Sequence, residues 1–277
     1  MIRIQNLSFA YRKKLVFDGL SLQFEAGHVY GLLGKNGTGK SSLLRNIAGL
    51  LAPKSGSINV NGFTPFQRLP LFLEDVYMVP EEFYLPDIPI ADFLQHSAAF
   101  YPRFNQAQFS NYMSVFEVPA DNTLQNMSYG QKKKVLISFA LATNAKILLM
   151  DEPTNGLDIM SKSQFRKILA EALDEERCII ISTHQVKDLE NLIDRITVID
   201  EGKILFDENV DEITRKLSFR FAYDNADAAS ALYSESLLRG HVIVAPNTEG
   251  EESKLDLELL YKAIVTNPDK ITKLFQS

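Results

Sequence analysis

Hydrophobic and polar positions follow two different periods at the start of the chain. Residues 2–9 and 20–24 alternate apolar with polar side chains, which predicts two antiparallel strands joined by a polar turn at residues 11–14. The apolar run at residues 28–33 predicts a buried strand, and residues 42–50 have the apolar spacing of a helix. The pattern therefore indicates a hairpin, then a strand, a glycine-rich loop and a helix.

The later part of the chain repeats the order of helix and buried strand. Helical spacing at residues 129–141 precedes an apolar run at 147–150, and a helix at 161–173 precedes a second run at 178–182. Continuous apolar runs of this length are typical of strands covered on both faces. The fold class predicted is therefore α/β, with a mostly parallel sheet between layers of helices.

The segment between these two parts is rich in proline and aromatic residues. We interpret residues 65–120 as a mostly helical insertion and place the helical subdomain at about residues 80–145. The domain division predicted is a main domain at residues 1–213 and a small appendage at 214–277. No long internal repeat is present, so a tandem pair of such domains is excluded.

The appendage has a weaker pattern of its own. We predict a strand at residues 219–223, a helix at 227–238, a strand at 241–244, a polar turn at 247–253 and a last helix from Leu255. This order indicates a small α+β unit of βαβ type. Nothing in it carries recognisable chemistry.

The composition is that of an ordinary globular protein. The 277 residues are 45% hydrophobic and 23% charged, with a formal net charge of -6 at pH 7. The acidic balance argues against a dominant nucleic-acid-binding face, so no nucleic-acid partner is expected. The run Lys132-Lys133-Lys134 is predicted to be a solvated helix face, with a local basic patch as the alternative.

Cysteine content and hydropathy both bear on the compartment. The single cysteine, Cys178, excludes an intrachain disulfide, and its apolar neighbours predict a buried small hydrophobe. No apolar stretch approaches the ~20 residues that cross a bilayer, and no signal segment is visible at the N-terminus. We therefore expect a reducing, cytoplasmic location.

One loop has the pattern of a phosphate-binding loop. It follows the strand at residues 28–33 and reads Gly34-Lys35-Asn36-Gly37-Thr38-Gly39-Lys40-Ser41. The glycines allow backbone N–H groups to surround phosphates, Lys40 neutralises phosphate oxygens, and the Ser41 hydroxyl is a ligand for Mg²⁺. The strand before and the helix after are the context that such a loop needs.

A second turn of the same kind precedes another helix. It reads Met127-Ser128-Tyr129-Gly130-Gln131. The N–H groups and positive dipole end of a helix N-terminus bind anions, yet one nucleotide needs only one such loop. We therefore expect this turn to bind the far side of a nucleotide held by a second copy, which makes a composite site between subunits.

Two adjacent carboxylates, Asp151 and Glu152, follow the apolar run at residues 147–150. Open α/β sheets bind their ligands at this end of their strands. Asp151 is suited to hold Mg²⁺ and Glu152 to orient or deprotonate an attacking water. Alone, the pair could equally mark the start of a helix, but the phosphate loop favours the functional interpretation.

The order of these motifs resembles one family. Asp151 follows Gln131 by 20 residues (151 − 131), and the sequences Asn155-Gly156-Leu157-Asp158 and Ser182-Thr183-His184 come next. Over residues 1 to about 213 the chain is similar to the nucleotide-binding subunit of an ATP-binding-cassette (ABC) transporter. The resemblance implies a P-loop NTPase fold of ABC type, in which a mostly parallel core carries an antiparallel β subdomain and a helical subdomain.

The resemblance also implies a function and partners. The expected activity is ATP hydrolysis coupled to transport, with ATP and Mg²⁺ bound between two nucleotide-binding subunits, either identical or different. Separate transmembrane permease subunits would hold the chain at the cytoplasmic face of the membrane. ATP hydrolysis would drive them through contacts with the insertion that follows Glu81.

Individual roles follow by matching motifs. Tyr11 would stack on adenine, with an ordinary surface tyrosine as the alternative. Glu152 and His184 would be catalytic, and Asp158 would cross the dimer interface. Ser128 and Gly130 would bind the γ-phosphate on the partner. The nucleotide contacts implied are Tyr11, Gly34, Lys35, Asn36, Gly37, Thr38, Gly39, Lys40, Ser41, Ser42, Glu81, Ser128, Gly130, Gln131 and Asp158, and the metal ligands implied are Ser41, Glu81 and Asp151.

The chain departs from the usual family pattern in two motifs. Tyr129 stands where glycine is usual and Met127 where leucine is usual; a tyrosine fits there if its φ is negative and its ring points away from phosphate. Glu81 stands where a glutamine normally reports the γ-phosphate to the membrane partner. Its carboxylate can still bind Mg²⁺ or hold water, while adding negative charge.

Other classes of function remain as alternatives. One is a soluble ABC-type ATPase acting on ribosomes, DNA or iron–sulfur assembly, although the chain has neither tandem cassettes nor a long coiled coil. Another is a regulatory nucleotide-binding module without turnover. The presence of Glu152 and His184 argues against the second.

Overall fold

A computed structural model describes residues 1–119, 122–189, 192–248, 250 and 253–275. The strands are β1 (Ile2–Tyr11), β2 (Lys14–Phe24), β3 (His28–Leu33), β4 (Ser55–Val60), β5 (Val76–Val79), β6 (Ile147–Asp151), β7 (Cys178–Thr183), β8 (Arg195–Asp200), β9 (Lys203–Asn209), β10 (Leu217–Ala222), β11 (Tyr233–Leu237) and β12 (Gly240–Pro246). The helices are α1 (Lys40–Ile47), α2 (Pro70–Leu73), α3 (Ile90–Ser97), α4 (Gln106–Val115), α5 (Tyr129–Ala142), α6 (Ile159–Ala172), α7 (Val210–Lys216), α8 (Asn225–Ser230), α9 (Leu257–Thr266) and α10 (Pro268–Phe275).

The central sheet has the strand order β5-β6-β7-β3-β8-β9. All neighbouring pairs are parallel except β8 with β9, which form a hairpin through Glu201 and Gly202. Successive residues of β6 enter different cores, because Leu148 packs with α5 and α6 while Leu149 packs with α1. Both faces of the sheet are therefore buried, and the predicted mostly parallel α/β sheet is confirmed.

The first strands form a separate antiparallel sheet of order β2-β1-β4. The predicted hairpin is confirmed and extends to a tight turn at Arg12, which has φ 52°. Its apolar residues, among them Phe17 and Phe24, share one core with α1 and with one face of the central sheet. This sheet therefore lies against the helix that follows the phosphate loop.

The N-terminal bound of the predicted helical insertion at residues 65–120 is wrong. Residues 65–79 include α2 and the strand β5, and β5 pairs in parallel with β6 from Val76↔Ile147 onward. Pro65 and Pro70 begin a 3₁₀ turn and a helix, where proline is well tolerated, so they do not mark an insertion. The narrower boundaries at 80–145 enclose α3, α4 and α5 and remain a prediction, as does the domain division.

The appendage is α+β, but two predictions about it are wrong. The expected helix at residues 227–238 is only the short α8, and Tyr233–Leu237 is the strand β11. The three strands have order β10-β12-β11 with antiparallel pairing throughout, so the unit is not of βαβ type. Part of the predicted turn at 247–253 lies outside the described residues. The predicted last helix divides into α9 and α10 because Pro268 cannot continue α9.

The structure bears on two expectations about apolar segments, the burial of Cys178 and the lack of a membrane-spanning stretch. Cys178 is buried as predicted, and burial raises the pKa of its thiol to about 12. Among the helices in the described ranges, none combines the length and the apolar character needed to span a bilayer.

Arg177 joins the ends of two helices to the sheet. It is buried, and its guanidinium donates to the carbonyl of Ala172 at 2.7 Å, to the carbonyl of Leu141 at 2.9 Å and to Asn144 Oδ1 at 2.8 Å. The carbonyls at a helix C-terminus lack intrahelical partners and carry the negative end of the dipole. Arg177 therefore anchors the C-terminal ends of α5 and α6 immediately before β7.

We expect Arg177→Met to lower the free energy of unfolding by about 2–4 kcal/mol, because it leaves buried carbonyls without a donor. Chemical denaturation measures the loss. Lys167→Met, on the exposed side of α6, is the matched control and should change stability little. A similar effect of both substitutions would contradict the anchoring role.

Candidate functional site

The carboxyl ends of three parallel strands bring the predicted motifs together. In the sheet register Leu33 of β3 pairs with Thr183 of β7, and Asp151 of β6 pairs with Ser182. The phosphate loop begins one residue after Leu33. The loop, the acid pair and His184 therefore meet at one edge of the sheet, as in other open α/β sheets.

Glycines in the phosphate loop are required by its geometry. Gly39 has φ 111°, and a Cβ there would lie 2.6 Å from the ring of Phe17. A Cβ at Gly34 would lie 2.5 Å from the carbonyl oxygen of Ile199. The loop thus packs its backbone tightly against β2 and β8. It leads directly into the N-terminus of α1, where backbone N–H groups lack intrahelical partners and can bind an anion.

Lys40 is a buried cation at the centre of this loop. Its Nζ donates to the carbonyls of Gly34 at 2.7 Å and Lys35 at 3.1 Å, and lies 3.9 Å from Glu152 Oε1. Burial lowers the pKa of Lys40, and the nearby carboxylates of Glu152, Asp151 and Glu81 oppose that shift. A cation held against carbonyls in this way can exchange them for phosphate oxygens.

The oxygen atoms of Ser41 and Asp151 form a corner suited to a divalent cation. Ser41 Oγ donates to Asp151 Oδ1 at 3.0 Å, and Ser182 Oγ donates to the same oxygen at 2.5 Å. Asp151 Oδ2 is buried and accepts no hydrogen bond from the described residues. A buried carboxylate oxygen without a donor is costly, and hard oxygen donors are the ligands that Mg²⁺ prefers. The donor set therefore fits Mg²⁺.

Glu152 is held more firmly than any other carboxylate of the site. Its Oε1 accepts from the backbone N–H of His184 at 3.0 Å and lies 2.8 Å from His184 Nδ1, while its Oε2 accepts from Thr183 Oγ1 at 3.1 Å. Glu152 has φ 45°, a left-handed conformation that is strained for a residue with a Cβ. Strain of this kind persists where surrounding contacts impose a functional geometry.

The Glu81 side chain lies in the same cleft. Its Oε1 accepts from Asn155 Nδ2 at 3.1 Å, and Asn155 in turn accepts from Gln185 Nε2 at 3.2 Å. Asn155, in the motif after the acid pair, and Gln185, the residue after His184, are thereby linked to Glu81. Sequence reasoning gave Asn155 and Gln185 no role, although Asn155 stood in a recognised motif.

A cleft of 670 Å³ opens over the phosphate loop, large enough for a nucleotide. Tyr11 borders it, with its ring at the edge of Phe9 and its hydroxyl accepting from Ser42 Oγ at 3.3 Å. The residues that line the cleft include Tyr11, Asn36, Gly37, Thr38, Gly39, Lys40, Ser41, Ser42, Glu81 and Glu152, together with Lys14, Leu15, Val16, Glu201 and Gly202. The last five were not predicted. Glu201 and Gly202 reach the cleft because the turn after β8 packs against Val16.

The second anion-binding turn lies outside this cleft. Ser128 is the N-cap of α5 and accepts from the N–H of Gln131 at 3.2 Å, while Gln131 Oε1 accepts from the N–H of Ser128 at 3.0 Å. Tyr129 is the first helical residue, so its φ is negative as expected, and Gly130 follows it. The turn is exposed and preorganised, but none of its residues lines the cleft over the phosphate loop of the same chain.

Asp158 has a similar position at the start of α6. Its Oδ1 accepts from the N–H of Ser161 at 2.8 Å and its Oδ2 from Ser161 Oγ at 3.0 Å, and these bonds lower the pKa of its carboxyl. It is therefore an N-cap here, away from the cleft over the phosphate loop.

The predicted solvated face at Lys132-Lys133-Lys134 is wrong. Lys133 is completely buried, and its Nζ donates to the carbonyl of Glu152 at 3.1 Å and to that of Glu81 at 3.3 Å. Burial lowers its pKa to about 8, while neighbouring carboxylates oppose the shift. Lys134 is half-buried and donates to the carbonyl of Phe116 at 3.1 Å. A run of like charges cannot indicate which members the tertiary packing will cover.

Comparison with known proteins places this site in a family. A family model described as ABC transporter matches residues 17–155. An ABC transporter ATP-binding protein of Methanocaldococcus jannaschii is 30% identical over 238 residues, 81% of this chain and 83% of that protein. The SkfA peptide export ATP-binding protein of Bacillus subtilis is 30% identical and covers 79% of this chain and 94% of its own length. The structure of cbiO1 from Clostridium perfringens, part of the ABC transporter complex cbiONQ, is 26% identical with a TM-score of 0.64 over 76% of this chain and 89% of that one. With its cleft, acid pair and histidine in one place, this chain belongs to the family of ABC transporter ATP-binding proteins.

Proposed function

We propose that two copies of this chain close head to tail around two ATP molecules. Each site would use the phosphate loop of one copy and the turn at Ser128–Gly130 of the other, and hydrolysis would reopen the pair. ATP binding and hydrolysis follow from membership of the family. The observation that carries the proposal is the exposed, preorganised anion-binding turn that lies outside its own chain's nucleotide cleft.

The proposed chemistry is proton transfer to Glu152 during attack of water on the γ-phosphate. The bonds from Thr183 and His184 orient the carboxylate, so that little reorganisation is needed when it accepts the proton. His184 Nδ1 lies 2.8 Å from Glu152 Oε1, so its Nε2 would be the ring nitrogen left to contact the γ-phosphate. Lys40, 3.9 Å from the same Glu152 oxygen, would neutralise phosphate oxygens.

Ser41 and Asp151 are the residues that would hold Mg²⁺, with Glu81 as a third oxygen donor from the cleft wall. When bound, the ion neutralises charge on the phosphate oxygens. Ser182 keeps Asp151 oriented through its hydroxyl, so the Asp151 carboxylate is set before any ligand arrives.

The partner driven by ATP hydrolysis is proposed to be a separate membrane permease, which this chain would contact at the cytoplasmic face. A second cleft, of 860 Å³, lies between β5, residues 83–86 and α3. Its rim exposes Tyr84 by 90% and Phe100 by 72%. Exposed aromatic side chains around an apolar groove are typical of protein–protein contacts. Pro80 and Phe83, on either side of Glu81 in sequence, line this groove, while Glu81 lines the nucleotide cleft, so one segment would serve both surfaces.

Glu152→Gln is expected to lower kcat by about 10²- to 10³-fold, because the amide cannot accept the proton from water. Steady-state ATP hydrolysis measures the loss. The exposed Glu171 provides a matched control, since Glu171→Gln should keep the parent's rate. Turnover by Glu152→Gln within a few fold of the parent would refute the assignment of the base.

Dimer closure has a separate test in the Glu152→Gln background. With ATP and Mg²⁺, light scattering should give twice the chain mass of 31.2 kDa. Adding Ser128→Arg should keep the protein at the monomer mass, because a large cation at the N-cap blocks the shared site. Nucleotide affinity of the phosphate loop should stay unchanged, and persistence of the dimer in the double variant would contradict the composite site.

The permease contact is tested by the pair of substitutions Tyr84→Asp and Phe100→Asp. Placing carboxylates on an apolar contact surface costs desolvation, so co-purification with a membrane-embedded partner should be lost. Hydrolysis by the isolated chain should persist. Tyr223→Asp, on a residue of the appendage that is 85% exposed, is the control that should keep the partner. Retention of the partner by the pair would exclude this groove.

A further inference from the structure

Tyr129 lies at a junction of loops that the family motifs do not explain. Its ring stacks on Phe83, with centroids 5.1 Å apart and planes 21° from parallel. The ring also packs close to the backbone of Gly156, where an added Cβ would lie 2.7 Å from Tyr129 Cε1. Tyr129 therefore fills the space between the segment after Glu81 and the segment after the acid pair.

The hydroxyl of Tyr129 makes a further connection. It donates to the carbonyl oxygen of Glu81 at 2.7 Å. One helical turn later, Lys133 Nζ donates to the same carbonyl at 3.3 Å and to the carbonyl of Glu152 at 3.1 Å. The first turn of α5 thus holds the Glu81 carbonyl with two donors and reaches the backbone of Glu152.

The other end of Glu81 faces the nucleotide cleft. Its carboxylate borders the space that Lys40 and Ser41 also line, and it accepts from Asn155 Nδ2 at 3.1 Å. A displacement of Glu81 by a bound nucleotide would therefore act on its backbone carbonyl. Two donors from α5 meet that carbonyl, so α5 would be displaced with it.

We propose that Tyr129, supported by Lys133, is a positioning residue that locks the signature turn (Ser128, Tyr129 and Gly130) to the Glu81 segment of the same chain. Nucleotide occupancy at one phosphate loop then orients the turn that serves the partner's nucleotide. The inference rests on the proposed function, because it assigns the signature turn to the partner's site. A glycine at position 129 has neither a ring nor a hydroxyl to form this link.

The link has a kinetic consequence that differs from a loss of stability. Tyr129→Phe keeps the ring contacts with Phe83 and Gly156 and removes only the bond to the Glu81 carbonyl. We expect kcat to fall about fivefold, the effect of one hydrogen bond, with the KM for ATP within about twofold of the parent. Tyr223→Phe, in the appendage, is the matched control and should leave both constants unchanged. An unchanged kcat for Tyr129→Phe, or a loss in KM alone, would overturn the proposal.

Hydrogen exchange tests the mechanical link without dimer closure. With Mg·ADP, which fills the phosphate loop after the proposed reopening, amides of residues 81–84 and 129–135 in the parent should exchange about fivefold more slowly. Tyr129→Phe should keep the protection at 81–84 and reduce it at 129–135, because only the Lys133 bond to the Glu81 carbonyl remains. Equal protection of 129–135 in both proteins, or none in the parent, would overturn the link. The dimer mass of Glu152→Gln is measured independently, so failure of the link and failure of the composite site give different results.

Discussion

The parallel register of β3, β6 and β7 is the constraint on which the rest of this protein depends. Because Leu33 pairs with Thr183 and Asp151 with Ser182, the carboxyl ends of these strands lie at one level. Asp151 lies 110 residues after Ser41 of the phosphate loop, and His184 lies 32 residues after Glu152, yet each motif lies at the carboxyl end of one of these strands. Apolar side chains on both faces hold the register, since a shifted strand would expose residues that the two cores bury.

Near the carboxyl ends of these strands the protein buries charged side chains and pairs them with groups of opposite charge or with carbonyls. Lys40 and Lys133 are cations with almost no exposure, and each finds backbone carbonyls as well as nearby carboxylates. Burying a charge is affordable only where such partners exist. The acid pair has two unfavourable features. Asp151 Oδ2 has no donor among the described residues, and the backbone of Glu152 is strained. Both features lie where phosphate and a divalent cation would bind, as expected of a site that gains its last partners from ligands.

The position of the signature turn connects this chemistry to assembly and to coupling. It is capped and ready for an anion, but outside its own chain's cleft. In the proposed dimer a second copy supplies that anion, and the Tyr129 and Lys133 contacts with Glu81 are the proposed route by which one site influences the other. The apolar groove beside Tyr84 adjoins the same Glu81 segment. The backbone around Glu81 therefore contacts the nucleotide cleft, helix α5 and the surface proposed for the permease.

The sequence by itself determined the local parts: the phosphate loop, the capped turn at Ser128, the buried strands and the identity of the acid pair. These depend on neighbours within a few residues, such as glycines that permit a positive φ or side chains that cap a helix. Only the tertiary structure decided that residues 65–79 supply a core strand, that Tyr233–Leu237 is a strand rather than helix, and that Lys133 is buried. The pairing of β5 and β11 and the burial of Lys133 depend on residues distant in sequence, and the local periodicity of these segments did not indicate them. For the same reason the sequence marked Tyr129 as unusual, while its link to Glu81 became visible only when the chain was folded.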